Sequence, residues 1–405
     1  MKLVTTIVQP VRATSLWLCA IIIILFSTPL LTLAADSLQV SGWIPYWAVS
    51  SGTKDARKHL SDLSTIFPFN YSVKSDGTLI DLGKIQKSAW KNLFSSAHKK
   101  DIHILPTVMW SNTSAIYTTL STPELRTKHI KAITTMVQKQ KFDGVDIDYE
   151  GKSAETFEAF GLFLKELKNK LGKNKILSCT IEARTPPESL YKTIPTDLRY
   201  ANDYTAIATY CDRVNIMTYD QQRADLTLNN THSGEAYIPV SDPAWVRKVI
   251  EFTLQSIPKE KISLGISTYG HEYEVIVHSD TYQEYGKTGA FNPSYGIKTA
   301  KQYKVTPIRG NAGELSFTFF PITTAPQFTY NTTIPHDTPD ALKVSAQSFA
   351  YTHATGLPSV FYYATWNDAE AIAQKVDLAR EYGLAGVAIF KIDGNEDQKM
   401  WDIFE

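Results

Sequence analysis

Phe142-Asp143-Gly144-Val145-Asp146-Ile147-Asp148-Tyr149-Glu150 alternates apolar and acidic side chains. In a β-strand, successive side chains point to opposite faces. Val145, Ile147 and Tyr149 then share one face, and Asp146, Asp148 and Glu150 share the other. The rise of a strand spaces the carboxyls of that row about 6.6 Å apart. If the row points into a fold, its repulsion and lost hydration must be relieved by protonation, hydrogen bonds or a ligand. Glu150 falls at the strand's carboxyl end, where parallel α/β folds hold their active sites. Asp143 has the opposite parity and takes a structural role at the strand start.

An antiparallel strand with a solvated acidic face would alternate in the same way, but the flanks here differ. A helix follows at once, with Ser153 as its expected cap and Glu155 in its first turn. Phe157, Phe160, Leu164, Leu167 and Leu171 repeat at helical spacing, and Gly172 ends the pattern. A strand, an amphipathic helix and a further apolar strand make a βαβ unit, whose sheet is parallel and buried.

The same alternation recurs along the chain. Strands are predicted at Gln39–Ile44, Thr65–Val73, Ile102–Met109, Phe142–Glu150, Ile176–Ala183, Arg213–Tyr219, Lys261–Tyr269 and Leu384–Ile392. Helical stretches lie between them. Pro123 and Glu124 open one, Trp245–Leu254 forms another, and Asp368–Tyr382 with Gly383 forms the last. Eight strands alternating with helices predict an α/β fold, a (β/α)₈ TIM barrel. Residues 272–358 break the rhythm with Thr-, Tyr- and Pro-rich pieces such as Leu315-Ser316-Phe317-Thr318-Phe319-Phe320. They are expected to form a small α+β insertion between strands seven and eight.

The strand exits are rich in aromatics and acids. Strand one leads to Tyr46 and Trp47, strand three to Trp110, and strand six to Met217, Tyr219 and Asp220. Strand seven reaches Tyr269, strand eight Phe390, and Trp366 precedes the final helix. Flat apolar faces suit pyranose rings, and carboxylates suit hydroxyls and bond cleavage.

Basic and acidic residues balance at 41 each, so nothing points to nucleic acid or an anionic membrane surface as partner. Lys2 and Arg12 precede an apolar run from Leu16 to Leu33, and Thr32 with Ala34 fits a small-residue cleavage rule. Residues 1–35 therefore read as a signal peptide, with an uncleaved N-terminal membrane anchor as the alternative. Residues 36–405 are expected to form the catalytic barrel, as a monomer outside the cytoplasm. Cys179 and Cys211 read as buried thiols, with a bridge between neighbouring strands as the alternative. There is no Cys/His cluster with metal-ligand spacing, no Gly-rich phosphate loop and no Gly-x-Ser-x-Gly elbow.

Asp143-Gly144-Val145-Asp146-Ile147-Asp148-Tyr149-Glu150 and Met217-Thr218-Tyr219-Asp220 resemble the strand-four and strand-six motifs of glycoside hydrolase family 18, the chitinase-like barrels. Phe69-Asn70-Tyr71-Ser72-Val73, Trp245-Val246-Arg247-Lys248-Val249 and Lys261–Gly270 are similar to its bacterial spore-germination, peptidoglycan-active branch. The resemblance implies retaining hydrolysis of β-1,4-linked N-acetylglucosamine polymers, chitin or peptidoglycan, without metal or cofactor. It implies Glu150 as proton donor, the substrate's 2-acetamido oxygen as nucleophile, Asp148 as its orienting group and Asp146 as sharer of Asp148's proton. Tyr219 would then hold the acetamido carbonyl and Asp220 a sugar hydroxyl, with Met217, Trp47, Tyr46, Trp110, Tyr269, Trp366 and Phe390 lining the substrate groove. The family usually carries Trp where Phe390 stands. Some barrels of the family are lectins that have lost the acid, so a weak or inactive oligosaccharide-binding protein is the competing expectation.

Overall fold

The computed structural model describes residues 1–2, 5–6, 38–280, 283–320 and 332–404. The leader expected over residues 1–35 lies almost wholly outside the described residues, as does the stretch 321–331. Among the described residues, no helix is long and apolar enough to cross a membrane.

Eight parallel strands close on themselves. They are Gln39–Pro45, Thr65–Val73, His103–Ile104 with Thr107–Trp110, Gly144–Tyr149, Ile176–Glu182, Arg213–Met217, Ile262–Ser267 and Gly386–Phe390. Below they are called strands one to eight. Trp43 pairs with Phe67 on strand two, and Val40 with Val387 on strand eight, which closes the ring. Strand three is split around Leu105-Pro106, where proline has no N–H for the ladder. The fold is the (β/α)₈ barrel that the alternating pattern predicts.

Pleat parity sorts the barrel's side chains. Val108, Ile147, Cys179, Val214 and Ile262 are register partners around the ring, and all are buried under the helices. Tyr149 lies stacked on Phe163, 5.6 Å between centroids, inside the helix Phe157–Leu171 layer. Burying such a side chain contributes about 1.5–3 kcal/mol. The inward face differs between its two halves. Trp43, Phe67, Leu105 and Ala388 fill the side formed by strands one, two, three and eight. Thr107, Asp146, Ser178, Thr180 and Asn215 make the other side polar. Strand four must begin with glycine, because a Cβ on Gly144 would stand 1.9 Å from the Ile176 carbonyl oxygen.

Aspartates cap several of the helices. Asp242 accepts from the Ala244 N–H, and Asp368 from the Ala371 N–H. Gly172 ends its helix at φ 80°. Ser153 differs: a 3₁₀ turn, Ala154–Thr156, precedes the α-helix, and the Ser153 side chain makes no capping bond. Asp143 accepts from the Ile104 N–H at 2.8 Å, a structural bond at the strand start.

Among the described residues, the insertion between strands seven and eight is a five-stranded antiparallel sheet with two α-helices. Its strands run in the spatial order Gln283–Phe291, Gly270–Val277, Ser359–Trp366, Leu315–Phe319 and Ile308–Arg309. Pro293–Gln302 and Lys343–Thr355 are its helices. Tyr273, Val275, Val277, Phe361 and Tyr363 form a separate small core there.

Cys179 and Cys211 are joined in a disulfide, with Cα atoms 6.0 Å apart. This corrects the buried-thiol expectation. The bridge ties strand five to the end of helix Tyr204–Tyr210, of which Cys211 is the C-cap, rather than one strand to its neighbour.

Candidate active site

The acidic row of strand four points into the polar half of the barrel, and its three members meet different surroundings. Asp146 is fully buried and saturated. It accepts from Ser178 Oγ at 2.7 Å, Thr107 Oγ1 at 2.8 Å and Thr180 Oγ1 at 2.9 Å, and from Asn215 Nδ2 and Trp43 Nε1 at 3.4 Å. Burial raises its pKa, and those donors oppose the rise. Asp148 is also buried, but its Oδ1 has no hydrogen-bond partner among the described residues. Burial, then the charges of Glu150, Asp146 and Glu182, lift its pKa well above the usual carboxylate range. Glu150 stands at the mouth, exposed to solvent on one side. The protein around it still dehydrates the carboxyl enough to raise its pKa. Glu182 adds to the rise, and Lys152 opposes it.

Strand six brings the phenol of Tyr219 to this row. Its pKa is raised well above the ordinary value by burial, then by the charges of Asp148, Glu150 and Asp220. It is therefore a protonated donor at neutral pH. Tyr219 lies stacked on Phe390 at 5.7 Å, and Met217 packs against the same cluster. Gly265 on strand seven makes room for the ring: a Cβ there would stand 2.9 Å from Tyr219 Cε1. Asp220 has φ 55° and is gripped by Tyr269 Oη at 3.0 Å and His271 Nε2 at 3.2 Å. Burial would raise its pKa, but these contacts win and hold it below the usual value.

A cavity of about 650 Å³ opens beside this cluster, lined by Trp47, Asp220, Tyr269, His271, Lys287 and Phe390 among others. Trp47 is 54% exposed, with Tyr46 edge-on to it at 4.8 Å. Phe390 joins the Tyr219–Tyr269 pair to the Trp43–Phe69 wall.

Two of the expected groove residues are elsewhere. Trp110 pairs in register with outward-facing Tyr149 and lies edge-on to it at 5.5 Å, 5% exposed, between barrel and helices. Trp366 is fully buried inside the insertion, against Phe291 and Phe317. Both are core aromatics, which corrects their assignment to the groove. Conversely, Lys152 and Glu182 adjoin the row and His271 holds Asp220, though none of the three was among the expected site residues. Ser178, Thr180 and Glu182 alternate along strand five as Asp146, Asp148 and Glu150 do along strand four, and that was the readable signal.

A closed parallel barrel with carboxylates, tyrosines and an exposed tryptophan at the exits of its strands defines a (β/α)₈ protein with an acid- and aromatic-lined groove. Residues 40–395 match the model of glycosyl hydrolases family 18, and the chain belongs to that family. It is 23% identical over 326 residues to the cortical fragment-lytic enzyme of Bacillus anthracis, covering 80% of this chain and 63% of that enzyme. Across the first curated relatives it matches, the chain spans 43% to 63% of their length. Two solved structures share the fold. The Bacillus cereus spore cortex-lytic enzyme SleL has a TM-score of 0.64 at 19% identity, covering 91% of this chain and 74% of that one. A chitinase from Chromobacterium violaceum has a TM-score of 0.66 at 15% identity, covering 91% and 98%.

Proposed function

We propose that the protein is a retaining glycosidase that cleaves β-1,4-linked N-acetylglucosamine polymers with the help of the substrate's own 2-acetamido group. The observation that carries this reading is the unpartnered, buried Oδ1 of Asp148, between saturated Asp146 and solvent-facing Glu150. A buried acceptor without a donor costs about 1–3 kcal/mol until something donates to it. An acetamido N–H of a sugar seated at the mouth is such a donor.

In this mechanism Glu150, kept protonated, gives its proton to the glycosidic oxygen as the bond to the anomeric carbon breaks. The acetamido carbonyl oxygen attacks that carbon and forms an oxazolinium ion. Asp148 holds the acetamido N–H and balances the new positive charge, sharing its proton with Asp146. Tyr219 donates to the acetamido carbonyl, and Asp220 receives a sugar hydroxyl. Water then attacks the anomeric carbon from the face the leaving group vacated, the bond to the acetamido oxygen breaks, and the water's proton returns to Glu150, with net retention. Trp47, Tyr46, Tyr269, Met217 and Phe390 line the groove. Phe390 supports the ring with less area than Trp and without an N–H donor.

The relatives include enzymes named for spore cortex and for chitin, and both polymers contain this linkage. We assign residues 36–405 as the catalytic unit, acting outside the cytoplasm as a monomer after export on the leader at residues 1–35. Matched oligomers with and without N-acetyl groups test the mechanism. The acetylated oligomer is expected to be cleaved, and the deacetylated one at least about 10³-fold more slowly, because the internal nucleophile is gone. Comparable rates on the two would rule out assistance by the substrate. Parallel digestion of purified cell wall and colloidal chitin, with mass spectrometry of the products, assigns the natural polymer.

A further inference from the structure

Strand five runs beside strand four, with Asp146 opposite Ser178 and Asp148 opposite Thr180. The ladder ends at that pair, and Glu150 and Glu182 each follow two residues beyond it. Gly151 N–H donates to Glu182 Oε1 at 3.0 Å, so the Glu182 carboxyl lies against the peptide that follows Glu150. Its other oxygen, Oε2, accepts from Asn202 Nδ2 at 2.7 Å and lies 3.4 Å from the Lys152 ammonium. That ammonium is buried, bonded to the Tyr149 carbonyl and set 4.9 Å over the Phe160 ring. Arg184, sandwiched between Tyr200 and Tyr204, donates to the carbonyl of the same Asn202 at 2.9 Å and adds positive charge near the carboxylate.

Like charges held close together are unfavourable, and a proton on one of the two carboxyls relieves the repulsion. The partners decide which carboxyl takes it. Glu182 has an ammonium, a side-chain amide and a backbone N–H, all of which favour its charged form. Glu150 faces the acids Asp148, Asp220 and Glu182, with Lys152 as the opposing cation and Tyr219 as a neutral neighbour. Both oxygens of Glu182 are engaged, so it is not placed as a second nucleophile.

We propose that Glu182 is a positioning residue for the reaction: its clamped carboxylate, set against the Glu150 loop, confines the pair's proton to Glu150 and so keeps the acid loaded. The shifts agree in direction. Glu150 is raised, while at Glu182 the rise from burial is outweighed by Lys152, Asn202 and Gly151. The inference rests on Glu150 being the proton donor.

The test is a ¹³C NMR titration of the Glu150 carboxyl in the full chain, its signal assigned by its loss in Glu150→Gln. Glu182→Gln keeps the shape of the side chain and removes its charge. The Glu150 midpoint is expected to fall by about one pH unit, as for the loss of a like charge at close range. The basic limb of kcat/KM on N-acetylglucosamine oligomers should fall with it, at unchanged KM on the acidic side. Glu182→Asp, which keeps the charge, should restore most of the midpoint. If Glu182→Gln does not fold, Asn202→Ala loosens the clamp and should move the midpoint the same way by less. An unmoved Glu150 midpoint in the folded variant overturns the proposal. Full hydrolysis by Glu150→Gln would instead overturn the assignment of the donor, so the two failures are distinguishable.

Discussion

Asp146 and Asp148 stand one pleat apart on the same strand, yet five side chains donate to the first while the second keeps an unpartnered oxygen. A buried carboxyl in the second condition is held for something other than stability. Its pKa is raised in the folded chain above the unfolded value of about 3.9. The contribution of its bound proton to stability is therefore complete below about pH 4 and is lost as pH rises through the folded value. Asp148→Asn removes that dependence. Its unfolding midpoint in urea should match or exceed the wild type's, with the margin widening between pH 4 and pH 8 to about 1–3 kcal/mol. Its kcat should fall by roughly 10²–10³-fold, as when a preorganised charge-stabilising group is lost. A variant both less stable at pH 8 and fully active would assign Asp148 to structure alone. The acidic row and its parity were legible in the sequence. That Asp146 is saturated and Asp148 is not was invisible, because the donors come from strands one, three, five and six and meet only when the barrel closes.

Among the elements, the eight strands were readable because inward and outward positions alternate, and the structure moves their limits by only a few residues. The aromatic groove was readable only in part. Trp47 leads out of strand one into a short 3₁₀ turn that lifts it into solvent, whereas Trp110 is still on its strand, on the outward parity of Tyr149. Position at a strand exit predicted a groove for both, and pleat parity decides between them. Trp366 belongs to a strand of the insertion, not to the barrel rim. Trp47→Ala should weaken binding of long oligomers roughly 5- to 100-fold with melting unchanged, since a stacking face contributes about 1–3 kcal/mol. Trp366→Ala should cost about 3–5 kcal/mol of stability by leaving a cavity. Calorimetry of each variant with and without oligomer separates the two effects. The disulfide also belongs to this scale. It closes a loop across a sequence separation of 32, which predicts a loss of about 2–5 kcal/mol when both cysteines become serine. Equal urea midpoints for the double variant and the oxidised parent would show the bridge to be energetically idle.

Across the whole molecule, the insertion completes the groove rather than hanging from it. Strand Gly270–Val277 continues from strand seven after two residues and carries His271 to Asp220, while Lys287 and Phe291 on the neighbouring strand line the cavity. Buried Glu314 of the insertion accepts the N–H groups of Val240 and Ser241, and Ser241 Oγ donates to the Thr218 carbonyl next to Tyr219. Composition marked this segment as different from the barrel but carried no sign of these long-range bonds, which join positions 73 and 74 residues apart. The measurement that bears most directly on the whole is hydrolysis of an N-acetylglucosamine tetramer by the wild type and by Glu150→Gln, followed by ¹H NMR from the first minutes. The wild type should release the β-anomer first, and the variant should bind the tetramer but cleave it roughly 10²–10⁴-fold more slowly. Release of the α-anomer first, or near-normal turnover by Glu150→Gln, would contradict the assignment of Glu150 as the proton donor of a retaining, substrate-assisted glycosidase.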